Sequence, residues 1–355
     1  MNKSAITAYV AVVLILVTLA ITSCSNSVNY DPMKAHHDEN SFKSRIEVGL
    51  FDWLSMMLKE GVYPDVVQKN IEEVLAKVDF SKINSPSDVP RATWIGQATV
   101  LVQYQGINFL TDPHLTDYAA PLNFGTKRFT PPALSFEEMP EIDFVVISHN
   151  HYDHLDSRTV DMFGDSVMWF VPLGLKSWFL ERGISAKKVV ELDWWESHEF
   201  SKKASLTVTI SFTPSIHWSK RTPWDTNKSL WGSWAVEIGD FNSWFAGDTG
   251  YDENMFKEIG QKLGPFQLAM IPIGAYEPRY FMLSQHLDPE QAVLVHQDIQ
   301  AQKSIPIHWG TFQLSHESFL EPPELLAESM KKYGLADDDF RGMKIGQTVE
   351  IEINQ

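Results

Sequence analysis

The chain has 355 residues and carries 29 Lys and Arg against 46 Asp and Glu, a formal charge of −17. That surplus of negative charge excludes a nucleic-acid backbone as the main partner, and it excludes electrostatic docking of the whole surface onto anionic lipid. The length suits one large domain or two small ones, and 12 Trp with 21 Phe supply a substantial core.

Lys3 opens a short positive region, Tyr9 to Ile21 is nearly all apolar, and Thr22-Ser23-Cys24 follows. This order describes an export signal over 1–23. The apolar run is short for a spanning helix, with an uncleaved anchor as the alternative. Cys24 is the single cysteine. No disulfide framework is therefore open to the chain, and no further thiolate is left to bind metal. The placing of Cys24 resembles the lipobox of bacterial lipoproteins. That resemblance implies an acylated mature N-terminus in the bacterial cell envelope, on the periplasmic side of a membrane. Residues 24–45 read as a polar tether in which His36-His37 is a solvated pair.

Residues 46–90 read as an N-terminal helical segment. Ile46, Leu50, Trp53, Leu54, Met57 and Leu58 recur at helical spacing, and Val66, Val67, Ile71, Val74 and Leu75 mark a second helix over 65–78. A membrane-facing or substrate-gating surface is the sharper reading of the first helix. The run from Ser85 to Pro90 breaks the pattern, and the remaining domain, 91–355, turns to short strands. Thr99–Tyr104 and Ile107–Leu110 flank a Gln105-Gly106 turn as a hairpin. His114 reads as a turn residue, and 118–140 as a long loop. Further strands are expected at 142–147, 167–171, 189–192, 206–210, 229–238, 243–246, 268–271 and 304–307, with helices at 174–183 and 289–297. Many strands with a few connecting helices suggest sheets covered by helices.

The chemistry gathers where the apolar run 142–147 ends. Ser148 to Asp156 holds His149, His151, Asp153, His154 and Asp156. Imidazole and carboxylate are zinc ligands. The spacing lets His149 and His151 address one metal while Asp153 and His154 turn to a second, forming a clamp for in-line hydrolysis. His217, Asp248 and His308 each follow another strand-like run. Tyr152 and Gln285 are candidate contacts for a substrate phosphate, Lys220 and Arg221 either meet that phosphate or are simply solvated, and Asp156 is a candidate partner orienting a ligand histidine.

The order H-x-H-x-D-H, then His, Asp and His, resembles the ligand pattern of the metallo-β-lactamase fold, an α/β (α+β) four-layer αββα sandwich. Thr93–Thr99, His217–Arg221, Leu230–Trp234, Phe245–Tyr251, Ile271–Arg279, His308–Phe312 and Glu321-Pro322-Pro323 are similar to the N-acylphosphatidylethanolamine-hydrolysing phospholipase D family. That resemblance spans about 85–350 and implies two Zn2+ ions. His149, His151 and His217 would hold the first, Asp153, His154 and His308 the second, and Asp248 would bridge them. His286 would contact the phosphate or protonate the leaving group. The implied reaction releases phosphatidic acid and an N-acylethanolamine from a phospholipid. Expected partners are that lipid, a membrane reached through the N-terminal anchor and, as an option, a second copy as a homodimer. A hydrolase of another phosphate ester or a lactone, and a non-catalytic zinc-binding lipoprotein, are the competing readings.

Overall fold

A computed structural model describes residues 28, 30–46, 50–61, 64, 68–122, 124–203 and 206–353, so the signal segment and Cys24 lie outside the described residues. Three helices come first, α1 (Leu50–Glu60), α2 (Gln68–Glu73) and α3 (Phe80–Ile83). The second ends earlier than its apolar spacing suggests, because the chain leaves the helix at Val74 to bridge Leu75 to Ile345.

Alternation then sets the layers. Strands β1 (Arg91–Gly96), β2 (Thr99–Tyr104) and β3 (Ile107–Thr111) are buried along nearly their whole length. Successive strand residues point to opposite faces, so each strand feeds two cores. Trp94, Val100, Val102 and Phe109 join one, while Ile95, Leu101 and Leu110 join the other. A small hairpin of β4 (Tyr118–Leu122) and β5 (Phe124–Lys127) interrupts the expected long loop. The first sheet is completed by β6 (Phe144–Val146), β7 (Met168–Pro172) and β8 (Val189–Leu192). The second contains β9 (Ser197–Lys203), β10 (Leu206–Thr213), β11 (Ser233–Ile238), β12 (Phe241–Phe245), β13 (Leu268–Pro272) and β14 (Ser304–Ile307). A last strand, β15 (Thr348–Glu350), pairs antiparallel with β1. The strand orders are β15-β1-β2-β3-β6-β7-β8 and β14-β13-β12-β11-β10-β9. Pro306 sits in an edge strand, where its missing N–H costs no ladder bond.

Helices close both outer faces. On the first sheet α4 (Ser157–Phe163) and α5 (Lys176–Glu181) deliver Val160, Phe163 and Phe179. On the second, α6 (Glu253–Leu263), α8 (Pro289–Asp298) and α9 (Glu321–Tyr333) deliver Phe256, Ile259, Val293 and Leu326. The short α7 (Arg279–Met282) lies between α6 and α8 in sequence. The result is the four-layer αββα sandwich.

Trp234 ties the sheets together at the end that matters. Its side chain is fully buried, and Nε1 donates to the carbonyl of Ile147 at 2.8 Å, one residue before the histidine-rich loop. Trp234→Phe keeps the ring bulk but strips that buried carbonyl of its donor, a loss of about 1–3 kcal/mol. A urea titration should show the midpoint falling by a corresponding amount; an unchanged midpoint would show that the bond carries no net stability.

The expected tether does not hold over 30–45. Phe42 and His37 are buried, and Asp193, itself 2% exposed, accepts from His36, His37 and Lys34. The segment is an arm bound to the domain, and its histidines are not solvated.

Candidate metal centre

The chemistry-bearing residues sit past the carboxyl ends of strands from both sheets. The loop from Ser148 to Asp156 follows β6, His217 follows β10, Asp248 follows β12 and His308 follows β14. The left-handed backbone at Gly247 (φ +59°) makes the turn into Asp248. A Cβ there would meet the side chain of Ser148 at 2.4 Å, so only glycine fits.

These loops bring all seven expected donors together, in two groups. In the first, His151 Nδ1 lies 2.9 Å from His149 Nε2 and 3.2 Å from His217 Nε2. In the second, His154 Nε2 lies 3.2 Å from Asp153 Oδ2, 3.1 Å from Asp248 Oδ2 and 3.1 Å from His308 Nε2. Asp248 faces both groups. Its Oδ1 is 3.2 Å from His308, and its Oδ2 is 3.9 Å from His217 and 4.0 Å from His149.

Tautomers show what this packing is for. His217 Nδ1 faces the backbone carbonyl of Gln285 at 3.1 Å, and His154 Nδ1 faces the Asp112 carboxylate at 2.6 Å. Each Nδ1 must therefore carry a proton, so that in the neutral form of each ring the Nε2 lone pair is aimed at other nitrogens and carboxylates. Acceptors converging on acceptors need a cation between them. Among the described residues, Asp248 Oδ1 also finds no hydrogen-bond partner although it is buried. The donor set of imidazoles and carboxylates, without thiolate, fits divalent zinc.

The electrostatics divide the two groups. Burial, followed by the charge of neighbouring imidazoles, holds His149 well below the usual imidazole range; burial does the same to His217 and takes His151 to about 4. Burial works against charge on Asp153 and Asp248, yet the adjacent His154 and His308 keep both carboxyls well below their ordinary range. Burial likewise opposes charge on His154, but Asp248 and Asp153 outweigh it and hold the ring well above the usual value. Burial opposes charge on His308 too, and Asp248 and Asp153 again outweigh it and raise the ring. His149, His151, His217 and the two carboxylates are thus already in their ligand forms, whereas His154 and His308 must each give up a proton for a metal cation to take its place.

Two orienting residues escape the sequence reading. Asp112, wholly buried after β3, accepts from the Ser148 backbone N–H and hydroxyl as well as from His154. Gln97 donates through Nε2 to Asp153 Oδ2 at 3.0 Å, and its carbonyl accepts the His308 N–H. Asp156, expected to orient a ligand, instead caps α4 by accepting from Arg158 N and Thr159 Oγ1. The side chain that fixes a metal-ligand histidine governs affinity, typically by 10–100-fold. Asp112→Asn should therefore release metal at about 10–100-fold lower chelator concentration, read as zinc content after dialysis; full retention would remove Asp112 from this role.

The remaining candidates separate. His286 reaches the centre, with Nδ1 buried and 3.8 Å from Asp248 Oδ2. Gln285 is buried, and its carboxamide oxygen already accepts from Trp218 Nε1 at 2.7 Å. Tyr152 donates to the carbonyl of Arg221. Arg221 is not a solvated or phosphate-facing cation. Its guanidinium stacks on Tyr152 at 4.1 Å and donates to the carbonyls of Asn150 and Leu155. His114, read as a turn residue, is buried against Phe312. The centre opens into a cavity of about 430 Å³ walled by Met56 of α1, Trp218, Phe281, Met282 and Leu314, with Lys220 also on its lining.

The Beta-lactamase superfamily domain matches residues 107–309. The chain is 46% identical over 268 residues to N-acyl-phosphatidylethanolamine-hydrolyzing phospholipase D 1 of Caenorhabditis elegans, covering 73% of this chain and 75% of that one. The chain belongs to the N-acylphosphatidylethanolamine-hydrolysing phospholipase D family. A Saccharomyces cerevisiae protein of the same family name is 37% identical over 260 residues, 72% of this chain and 55% of its own length. Among solved structures, Igni18, a metallo hydrolase from the archaeon Ignicoccus hospitalis, superposes with a TM-score of 0.55 at 21% identity. That match covers 75% of this chain and 100% of the archaeal one, and it shows the shared fold. As a member of the phospholipase D family this chain is an enzyme, a metal-dependent hydrolase of the metallo-β-lactamase fold, and the non-catalytic reading falls.

Proposed function

We propose that the chain is a binuclear zinc phosphodiesterase of phospholipase D type, cutting N-acylphosphatidylethanolamine-like lipids to phosphatidic acid and an N-acylethanolamine. The observation that carries this is the convergence of seven donors, as two groups sharing Asp248, at an apolar-walled cavity. Zinc held by His149, His151 and His217, and by Asp153, His154 and His308, would supply Lewis-acid charge and make a water acidic enough to ionise near neutral pH. The chain's own residues do the rest. Asp248 ties the two groups into one unit, while Asp112 and Gln97 keep their donors aimed. Met56, Phe281, Met282 and Leu314 exclude water and accept acyl chains. Lys220 offers a positive charge to the lipid phosphate, and His286 stands where a proton is needed by the departing head-group oxygen. Water adds to phosphorus, the bond to that oxygen breaks, and the N-acylethanolamine leaves with the proton.

The cellular setting belongs to the same proposal. Among the described residues no helix is long and apolar enough to cross a membrane. Acylated Cys24 would hold the enzyme to the periplasmic side of the bacterial envelope. Leu58, Tyr280 and Leu283, exposed on and beside the helices that reach the cavity, support a membrane-facing mouth. A homodimer is part of this reading.

The test is mass spectrometry of products from the purified, zinc-loaded full chain given N-acylphosphatidylethanolamine in detergent micelles. Phosphatidic acid and N-acylethanolamine should appear together, vanish with a chelator and return with zinc. A protein holding two zinc ions that leaves this lipid intact but cleaves another phosphate ester or a lactone would overturn the substrate assignment.

A further inference from the structure

The loop that presents His217 runs over 214–232 without helix or strand, between β10 and β11. Irregular backbone at this depth needs hydrogen-bond partners from elsewhere. The N-terminal arm supplies them. Ser44 Oγ donates to the carbonyl of His217 itself at 2.8 Å. The Phe42 N–H donates to Asn227 O at 2.8 Å, and Tyr30 Oη to Lys228 O at 3.1 Å. Arg45 pairs at 2.6 Å with Asp252, which caps α6 just beyond Asp248.

The arm is held in turn by one buried carboxylate. Asp193 Oδ2 receives Lys34 Nζ at 2.6 Å and His37 Nε2 at 2.9 Å, and its Oδ1 receives His36 Nε2 at 2.7 Å. Next to it, Trp194 stacks on His36 with centroids 4.3 Å apart, and its Nε1 donates to Trp231 O in the far limb of the same loop. A metal ion is the obvious competitor for two histidines and an aspartate whose donor atoms lie within 4.8 Å. The hydrogen bonds argue against it. His37 Nδ1 accepts the backbone N–H of Asp31 at 2.8 Å, so its proton sits on Nε2, the atom aimed at Asp193. The Lys34 ammonium already provides the positive charge.

We propose that residues 30–46 are a strap that positions His217, with Asp193 as its anchor and Ser44 as its point of contact. This rests on the reading of His217 as a metal ligand. Holding the carbonyl of a ligand residue fixes the backbone from which its ring projects, and the Gln285 carbonyl then sets the ring itself at Nδ1. Loss of such outer support typically costs 10–100-fold in metal affinity. The strap therefore acts on the three-histidine group and spares the Asp153, His154 and His308 group.

The experiment uses the zinc-loaded full chain as wild type, Asp193→Ala, Ser44→Ala and Ser44→Thr. Zinc retention is titrated against a chelator, and amide hydrogen exchange is read over 214–232. Asp193→Ala should speed exchange in that loop and release one zinc at about 10–100-fold lower chelator concentration, with the other held as in wild type. Ser44→Ala should shift the same zinc by less, and Ser44→Thr, which keeps the hydroxyl, should restore retention. Faster exchange with unchanged retention would make the strap merely structural and overturn the proposal. So would Ser44→Thr behaving as Ser44→Ala. If Asp193→Ala fails to fold, the Ser44 pair decides alone. Retention is read without turnover, so a failed lipid assay bears on the substrate and not on the strap.

Discussion

Asp248→Asn should abolish turnover while leaving the fold in place. The expected fall in kcat is about 10³–10⁴-fold, the equivalent of losing several kcal/mol of charge stabilisation in the transition state. Asp248 turns its carboxylate to both donor groups, through Oδ1 to His308 and through Oδ2 to His154, His149 and His217. An amide keeps the shape but offers one acceptor oxygen, and turns two N–H bonds toward atoms that must receive a cation. The fold should survive because Gly247 makes the turn and β12 pairs normally with β11 and β13 on either side. Circular dichroism, zinc content and product formation on the same preparation check this. Hydrolysis at the wild-type rate would refute the bridging role, whereas a lost circular dichroism signal would mean that Asp248 supports folding instead.

What the sequence showed and what it hid follow one physical line. His149, His151, Asp153, His154, His217, Asp248 and His308 were legible because each is a ligand-type side chain straight after a short apolar run, and local pattern suffices to see that. Asp112 has the same placement after β3 but is followed by Pro113, so it reads as an ordinary turn. Only the contact with His154, 42 residues away, reveals its task. The arm fails for the same reason on a larger scale. Its polar composition suits a tether, and the carboxylate that binds His37 lies 156 residues on. Asp156 illustrates the converse error. It is near the ligands in sequence, but a helix start directly after it claims its oxygens. The helix α6 is not among the expected elements, although Asp252 as its cap and Phe256, Ile259 and Leu263 on one face carry a helical signal. Arg221, a cation in a polar stretch, looks solvated until Tyr152 and two carbonyls are seen around it.

His286→Gln should cost about 10²–10⁴-fold in kcat, the range for a positioned proton donor, with the metal content of the wild type retained. The geometry sets this apart from the ligand substitutions. His286 Nδ1 is 3.8 Å from Asp248 Oδ2, too far for a hydrogen bond, and it is buried with no other partner. Its ring runs beside His308 with centroids 5.8 Å apart and lines the cavity, where the scissile phosphate of the proposed substrate would lie. Its carbonyl is tied down by Arg279 Nη1, which fixes the backbone and leaves the ring to the cavity. Glutamine can still donate a hydrogen bond to a phosphate oxygen, but it cannot deliver a proton to the leaving alkoxide. A substrate whose leaving group is a stabilised phenolate needs no such proton, and separates the two roles. If His286 is the proton donor, the variant should be nearly as fast as wild type on the phenolate ester and slow on the lipid. Equal losses on both substrates would assign His286 to phosphate contact, and a loss of zinc would assign it to the metal centre itself.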